Sequence, residues 1–357
     1  VYTRFKIDPK GIDSDVVSSP NDIVTAGVWS DYIASLTTHY SSSALTNTQR
    51  QYYIDVLQDK PTNDGAAVQY SVAYGHRLGS GSNSVGQLND SPSRAIYSQY
   101  ARLLLAPGDT IFTYESGSTD SIYIINFKRN RLKERMDPGN FELPLCNITA
   151  RTNANATSSI TVGSTVYTLI DDSALAAASI GEMGRVYGVC SGSINDGIYY
   201  SSGAPVYYGL LYPDQGIIVL DGNRLDQKLG FKTNVSSSSE ANNHFTLWRS
   251  ISGSALQTNA ATSDPYGFLA RNSETITSTH YFVRIKNGQY NYSNNPTYIT
   301  GSAGLIAQPS FLTEPKTYIT TVGLYDDSNN LLAVAKLSKP LLKSFQREAL
   351  IRVKLDY

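Results

Sequence analysis

The chain has 357 residues, enough for roughly two or three domains and a sizeable core without the help of disulfides. Its 29 Lys and Arg against 30 Asp and Glu give a formal net charge of -1, which excludes a global field drawing it to nucleic acid or an anionic membrane, so partners must be recognised locally. Only 17% of the residues are charged while 26 are Tyr and 27 are Gly, a balance that leans towards β-structure and contact surfaces, because Tyr suits both a half-buried strand and an interface.

The chain opens Val1-Tyr2-Thr3-Arg4-Phe5, without the basic and apolar regions of a signal peptide, and no apolar run approaches membrane-spanning length, so a soluble protein is expected. Short alternating or β-branched runs, separated by turn dipeptides such as Asp64-Gly65, Asp196-Gly197, Asp221-Gly222 and Asn287-Gly288, predict strands over 68–74, 110–114, 121–128, 165–170, 186–190, 206–211, 216–220, 280–285 and 317–324. Helices are few. The best is Ser93–Leu105, entered through Ser91-Pro92 and stopped by Pro107-Gly108, with Ile96, Tyr97, Tyr100, Leu103 and Leu104 at helical spacing for packing on a sheet. Two short helices are expected over 172–178 and 223–229. Small polar stretches at 147–164 and 236–243 read as loops or linkers and predict an N-terminal β-rich domain 1–146, a middle β-rich domain 147–233 and a C-terminal β domain 234–357. Near the end, Tyr318–Leu324 and Leu331–Leu337 flank the turn cluster Asp326-Asp327-Ser328-Asn329-Asn330 as a β-hairpin. A further strand follows in which Ile351, Val353, Leu355 and Tyr357 alternate with Arg352, Lys354 and Asp356. The fold expected is mainly β with a few short helices, its sheets antiparallel.

The segment Tyr318-Ile-Thr-Thr-Val-Gly-Leu-Tyr-Asp-Asp, continued through Asn330-Leu-Leu-Ala-Val-Ala-Lys-Leu-Ser-Lys-Pro to Glu348-Ala-Leu-Ile-Arg-Val-Lys-Leu-Asp, resembles the C-terminal block of virion structural proteins from T4-like contractile-tailed phages, especially those of marine and cyanobacterial hosts. Tyr74-Gly-His-Arg-Leu-Gly-Ser-Gly-Ser, Ser93-Arg-Ala-Ile-Tyr-Ser-Gln-Tyr, Phe127-Lys-Arg-Asn-Arg-Leu-Lys-Glu-Arg-Met-Asp-Pro-Gly-Asn-Phe and Phe282-Val-Arg-Ile-Lys-Asn-Gly-Gln-Tyr-Asn-Tyr-Ser-Asn-Asn-Pro resemble the same group. The resemblance implies a non-enzymatic subunit of the particle, in the tail or baseplate, contacting copies of itself and other virion proteins, without cofactor, small-molecule substrate, nucleic acid or membrane. Two alternatives stay open: a carbohydrate-binding module of a tail fibre or spike, and a neck or head-associated structural protein.

The residue inventory for chemistry is thin. His39, His76, His244 and His280 are scattered, with no metal-ligand spacing such as HExxH. Cys146 and Cys190 form no CxxC pair, and Cys190 reads as part of a buried strand made in a reducing compartment. The acidic pairs Asp171-Asp172 and Asp326-Asp327 read as turns or helix starts. Gly75, Gly79 and Gly81 around His76 and Arg77 lack the GxxxxGK[ST] pattern of a phosphate loop, but would let the backbone approach a partner closely. The concentrated charge is Lys128-Arg129-Asn130-Arg131-Leu132-Lys133-Glu134-Arg135. Its basic residues Lys128, Arg129, Arg131, Lys133 and Arg135, with His76 and Arg77, are the candidate protein–protein interface, the alternative being a solvated turn.

Overall fold

The computed structural model describes residues 16–42, 45, 49–82, 91–151, 160–231, 243–260, 263–301 and 303–356. The protein is mainly β, with 51% of residues in strands against 15% in helices, and the sheets are antiparallel and include a curled half-barrel. The principal elements are β1 (Val16–Gly27), β2 (Tyr40–Ser41), β3 (Tyr53–Leu57), β4 (Val68–His76), α1 (Pro92–Leu104), β5 (Ser121–Phe127), β6 (Arg135–Arg151), β7 (Ile160–Asp171), β8 (Gly184–Ser193), β9 (Tyr207–Tyr212), β10 (Ile217–Asp221), α2 (Gly222–Leu229), α3 (His244–Ser254), β11 (Phe268–Ile285), β12 (Thr317–Tyr325), β13 (Leu331–Lys343) and β14 (Ala349–Asp356).

Contacts divide the chain into two compact units, one of Val24–Glu274 and one of Thr275–Tyr357 with the chain through Ile23. The expected divisions near 147 and 234 are not these. β6 runs unbroken through residue 147 and pairs with β7 along Glu142–Arg151, so that point lies inside a sheet. Position 234 lies outside the described residues.

In the larger unit the strand order is β11–β6–β7–β8–β9–β10–β5–β4–β3–β2. It consists of two antiparallel meanders, β2–β5 and β6–β10, joined where β10 pairs with β5 from Ile217↔Asn126 to Asp221↔Ile122. Both faces of the central strands are buried. Tyr123, Ile125 and Phe127 of β5, Tyr70, Val72 and Tyr74 of β4, and Ile218 and Leu220 of β10 enter one core. The alternate residues Ile122, Ile124, Ala73, Ile217 and Val219 enter a second. Burial on both sides is why these strands read as continuous apolar runs. Trp29 centres the first core, with ring centroids 5.0 Å from Phe268, 5.3 Å from Phe127 and 5.9 Å from Tyr70.

The helices cover these faces. α1 buries Ile96, Tyr97, Tyr100 and Leu104 on the second core, while Leu103, expected in its stripe, faces solvent. Gly75 of β4 lies under α1, where an added Cβ would stand 2.9 Å from the Tyr97 nitrogen, so the close approach expected of this glycine segment is made within the molecule. α2 is present, but its start differs in kind: Asp221-Gly222, read as a turn, is an N-cap whose carboxylate accepts the Asn223 amide at 2.9 Å. That carboxylate also accepts Thr119 Oγ1 at 2.7 Å and the Tyr114 hydroxyl. Residues 172–178 make a single turn rather than a helix, because Asp172 accepts the Gly188 amide at 2.9 Å and belongs to the β7–β8 pairing. α3 has no counterpart among the predicted elements. Its buried serines bond to β6, with Ser250 Oγ donating to the Cys146 carbonyl at 2.6 Å and Ser254 Oγ to that of Pro144 at 3.1 Å.

In the smaller unit, residues 278–285 of β11 pair with β14, and the predicted β12–β13 hairpin packs on this pair. Ile285, Ala349, Ile351 and Val353 meet Ile319, Val322, Leu324, Ala335, Leu337 and Leu341 from the hairpin. The final predicted strand therefore pairs with β11. Lys343 is fully buried, its Nζ donating to the carbonyl of Asn287 at 2.7 Å, Asn291 Oδ1 at 3.0 Å and the Ser344 carbonyl at 2.9 Å. All three ammonium protons thus have acceptors.

Candidate functional site

The basic segment is the crossover between the two meanders. β5 and β6 are consecutive in sequence but five positions apart in the sheet, so Lys128–Glu134 must pass from the β5–β10 junction to the other end of the second meander, where β6 lies between β7 and β11. It is anchored over the β9–β10 turn. Leu132 is fully buried, and an added Cβ on Gly216, whose φ is +67°, would stand 2.2 Å from Leu132 Cδ1. Asn272 Nδ2 donates to the Arg131 carbonyl at 2.7 Å, and the Met136 amide to the Pro213 carbonyl at 3.0 Å. The charges fall here because a connection across strand ends is exposed, while its single apolar residue is drawn into the core.

Most of the cations are already engaged. Arg129 Nη1 donates to the carbonyls of Glu134 at 3.1 Å and Asp214 at 3.2 Å, while Arg131 donates to the Val68 carbonyl at 3.2 Å and Ser30 Oγ at 3.1 Å. Lys133 pairs with Glu274 at 3.0 Å and Arg135 with Glu134 at 3.2 Å. Lys128 is exposed. Beside it lies a shallow open depression of about 320 Å³ lined by Asp55, Val68, Ser71, Asn126, Phe127, Lys128 and Arg129. Asp55, Ser71 and Asn126 are neighbours in register on β3, β4 and β5, and form a polar row. Ser71 Oγ donates to Asp55 Oδ1 at 2.5 Å, and Asn126 Nδ2 reaches the Tyr100 hydroxyl of α1 at 3.5 Å. Sequence reading missed this row, whose signal was one polar residue at matching register in each of three apolar strands.

Among the described residues, no contact brings His76 or Arg77 to this crossover. His76 is buried, its Nδ1 accepts the Leu78 amide at 3.1 Å, and burial pushes its pKa down, which favours the neutral ring. Arg77 pairs with Asp120 at 2.5 Å. Both cysteines are buried, and burial raises their thiols to about 11 for Cys146 and about 12 for Cys190, so neither is a ready nucleophile. Among the described residues there is no group of three or more His, Cys, Asp and Glu placed to hold a metal ion, and no helix long and apolar enough to cross a membrane.

The smaller unit carries a second surface. The inner face of the hairpin is packed, yet its outer side exposes Tyr318 (60%), Leu332 (68%) and Val334 (60%), with Tyr325 and Leu331. The hairpin itself was legible. Its double-sided apolar character was visible only as consecutive, non-alternating apolar residues over 331–335.

No family model, curated protein or solved structure matches the chain.

Proposed function

We propose that the chain is a non-enzymatic structural subunit of a contractile-tailed phage particle, set in the tail or baseplate and working through ordered contacts with copies of itself and with neighbouring virion proteins. The observation that carries this reading is the β12–β13 hairpin, which presents a row of large apolar side chains to solvent after burying its inner face. Tyr325, Leu331, Leu332 and Val334 are grouped near the turn, and an exposed apolar group of this kind marks a place where another chain binds. The braced basic crossover supports the same reading, since a cationic ridge fixed by Leu132 offers preorganised polar contacts at little ordering cost. The resemblance of the C-terminal block points to the particle type.

Quantitative mass spectrometry of purified particles tests the proposal. The protein is expected at fixed stoichiometry with the tail proteins. Recovery solely from the soluble fraction of infected cells would overturn it.

A further inference from the structure

The turn dipeptide Asn287-Gly288 is the one Asn-Gly pair in the chain, and it sits against the buried Lys343. Glycine after asparagine favours ring closure between the two, because no side chain hinders the glycine nitrogen as it approaches the asparagine Cγ. The structure leaves that approach open. Asn287 and Gly288 are both exposed, in a turn closed by the Gln289 amide donating to the Lys286 carbonyl at 3.1 Å, and a Cβ added at Gly288 would meet nothing within 4 Å.

Two donors converge on the peptide that joins the pair. The Asn287 carbonyl oxygen accepts Lys343 Nζ at 2.7 Å and Asn291 Nδ2 at 2.7 Å. Deprotonation of the Gly288 amide spreads negative charge onto this oxygen, so an ammonium and an amide already aimed at it favour the nucleophilic form. The same donors polarise the carbonyl for attack by water. Lys343 in turn is fully buried, and its three acceptors, the carbonyls of Asn287 and Ser344 and Asn291 Oδ1, are neutral oxygens, an arrangement in which a nearby anion would offset the cost of the buried charge.

From this convergence we infer that Asn287-Gly288 is a site of spontaneous chain rearrangement, converting to an isoaspartyl linkage whose freed α-carboxylate pairs with Lys343. The Gly288 nitrogen bonds to Asn287 Cγ, the bond from Cγ to Nδ2 breaks, and the Gly288 amide proton leaves with that nitrogen as ammonia, closing a succinimide ring. Water then adds to the ring carbonyl that was the main-chain carbonyl of Asn287. The bond from that carbon to the Gly288 nitrogen breaks, one proton of the water passes to the nitrogen and the other to solvent. The chain now runs through Cβ and Cγ, and a carboxylate stands where Lys343 already donates. Attack at the other ring carbonyl gives ordinary aspartate and leaves the main-chain acceptor of Lys343 neutral.

The rearrangement is independent of the assembly role. The purified full chain, incubated at mildly alkaline pH and then digested, is read by mass spectrometry with electron-transfer fragmentation, which distinguishes isoaspartate from aspartate. Isoaspartate at 287 is expected to accumulate ahead of conversion at any other asparagine. Its ratio to aspartate should be roughly fivefold above that in the same chain incubated in urea, where no donor is held at the carbonyl. The pairing is read separately with an isoaspartyl methyltransferase and S-adenosylmethionine, which esterify a free α-carboxylate. The folded, aged protein should be labelled at 287 about tenfold more slowly than the peptide released from it by digestion, because the carboxylate is held by Lys343. An intact Asn287 after other asparagines have converted, an equal ratio in urea, or a folded protein labelled as fast as its peptide would each overturn the inference.

Discussion

At the scale of single residues, Leu132 shows how one apolar side chain fixes a charged segment. Its fully buried side chain fills the space left by Gly216, so Leu132→Ala should cost about 2–5 kcal/mol, measured as a lower urea midpoint. Two buried histidines make stability depend on pH. Burial pushes His39 down to about 3 and His244 down to about 4, with Tyr70 OH lying 3.0 Å from His39 Nδ1 and the Arg50 carbonyl 2.8 Å from His244 Nε2. Below the ordinary value of 6.5 the unfolded chain takes up protons that the folded rings resist. The stability present above pH 6.5 is therefore lost progressively as pH falls towards 4, at up to about 1.4 kcal/mol per pH unit for each ring. Glu142, Asp137 and Asp172, raised by burial, act in the opposite sense. The clean measurement is a difference: His244→Gln should flatten the decline in urea midpoint between pH 6.5 and 4, and an unchanged slope would show that His244 does not contribute.

At the scale of elements, the crossover and the hairpin make separate predictions. Arg129 and Arg131 brace the crossover through bonds to carbonyls and Ser30, so Arg131→Ser should lower thermal stability by roughly 1–3 kcal/mol. Exposed Lys128→Ser and Lys133→Ser should each change it by less than about 1 kcal/mol. If the ridge contacts a neighbour, the lysine double variant folds normally yet enters particles less efficiently in genetic complementation, and in assembly measured in vitro its deficit relative to the unmodified protein shrinks as salt rises. Normal incorporation would assign the lysines to a solvated turn. In the hairpin, Lys343→Met removes the three hydrogen bonds of a fully buried ammonium and should destabilise the smaller unit by roughly 2–4 kcal/mol.

For the whole molecule, the division into units with separate apolar cores predicts separable unfolding. The protein has two tryptophans, Trp29 and Trp248, and both lie in the Val24–Glu274 unit. Fluorescence therefore reports on that unit, while far-ultraviolet ellipticity reports on both. Lys343→Met should shift part of the ellipticity transition and leave the tryptophan transition in place. A joint shift of both signals would show a single cooperative molecule.

The sequence by itself determined the strand-rich fold class, helix α1 and the C-terminal hairpin. Each is encoded in local terms: β-branched and aromatic runs between Gly and Asp turns, and a Pro-entered apolar stripe at helical spacing. It could not place the boundary at Glu274, since β11 is one continuous strand whose halves pair with β6 and β14, and pairing partners leave no local trace. Helix α3 was hidden for a related reason. Its sequence, with Ser250, Ser252, Gly253 and Ser254 in its second half, is a weak helix former, made helical by packing on β6, where Ser250 and Ser254 find carbonyl acceptors. The basic cluster was visible as charge. That most of it is spent on intramolecular bonds, and that the polar row Asp55–Ser71–Asn126 comes to lie beside it, was decided only when strand order and register brought distant residues to one face.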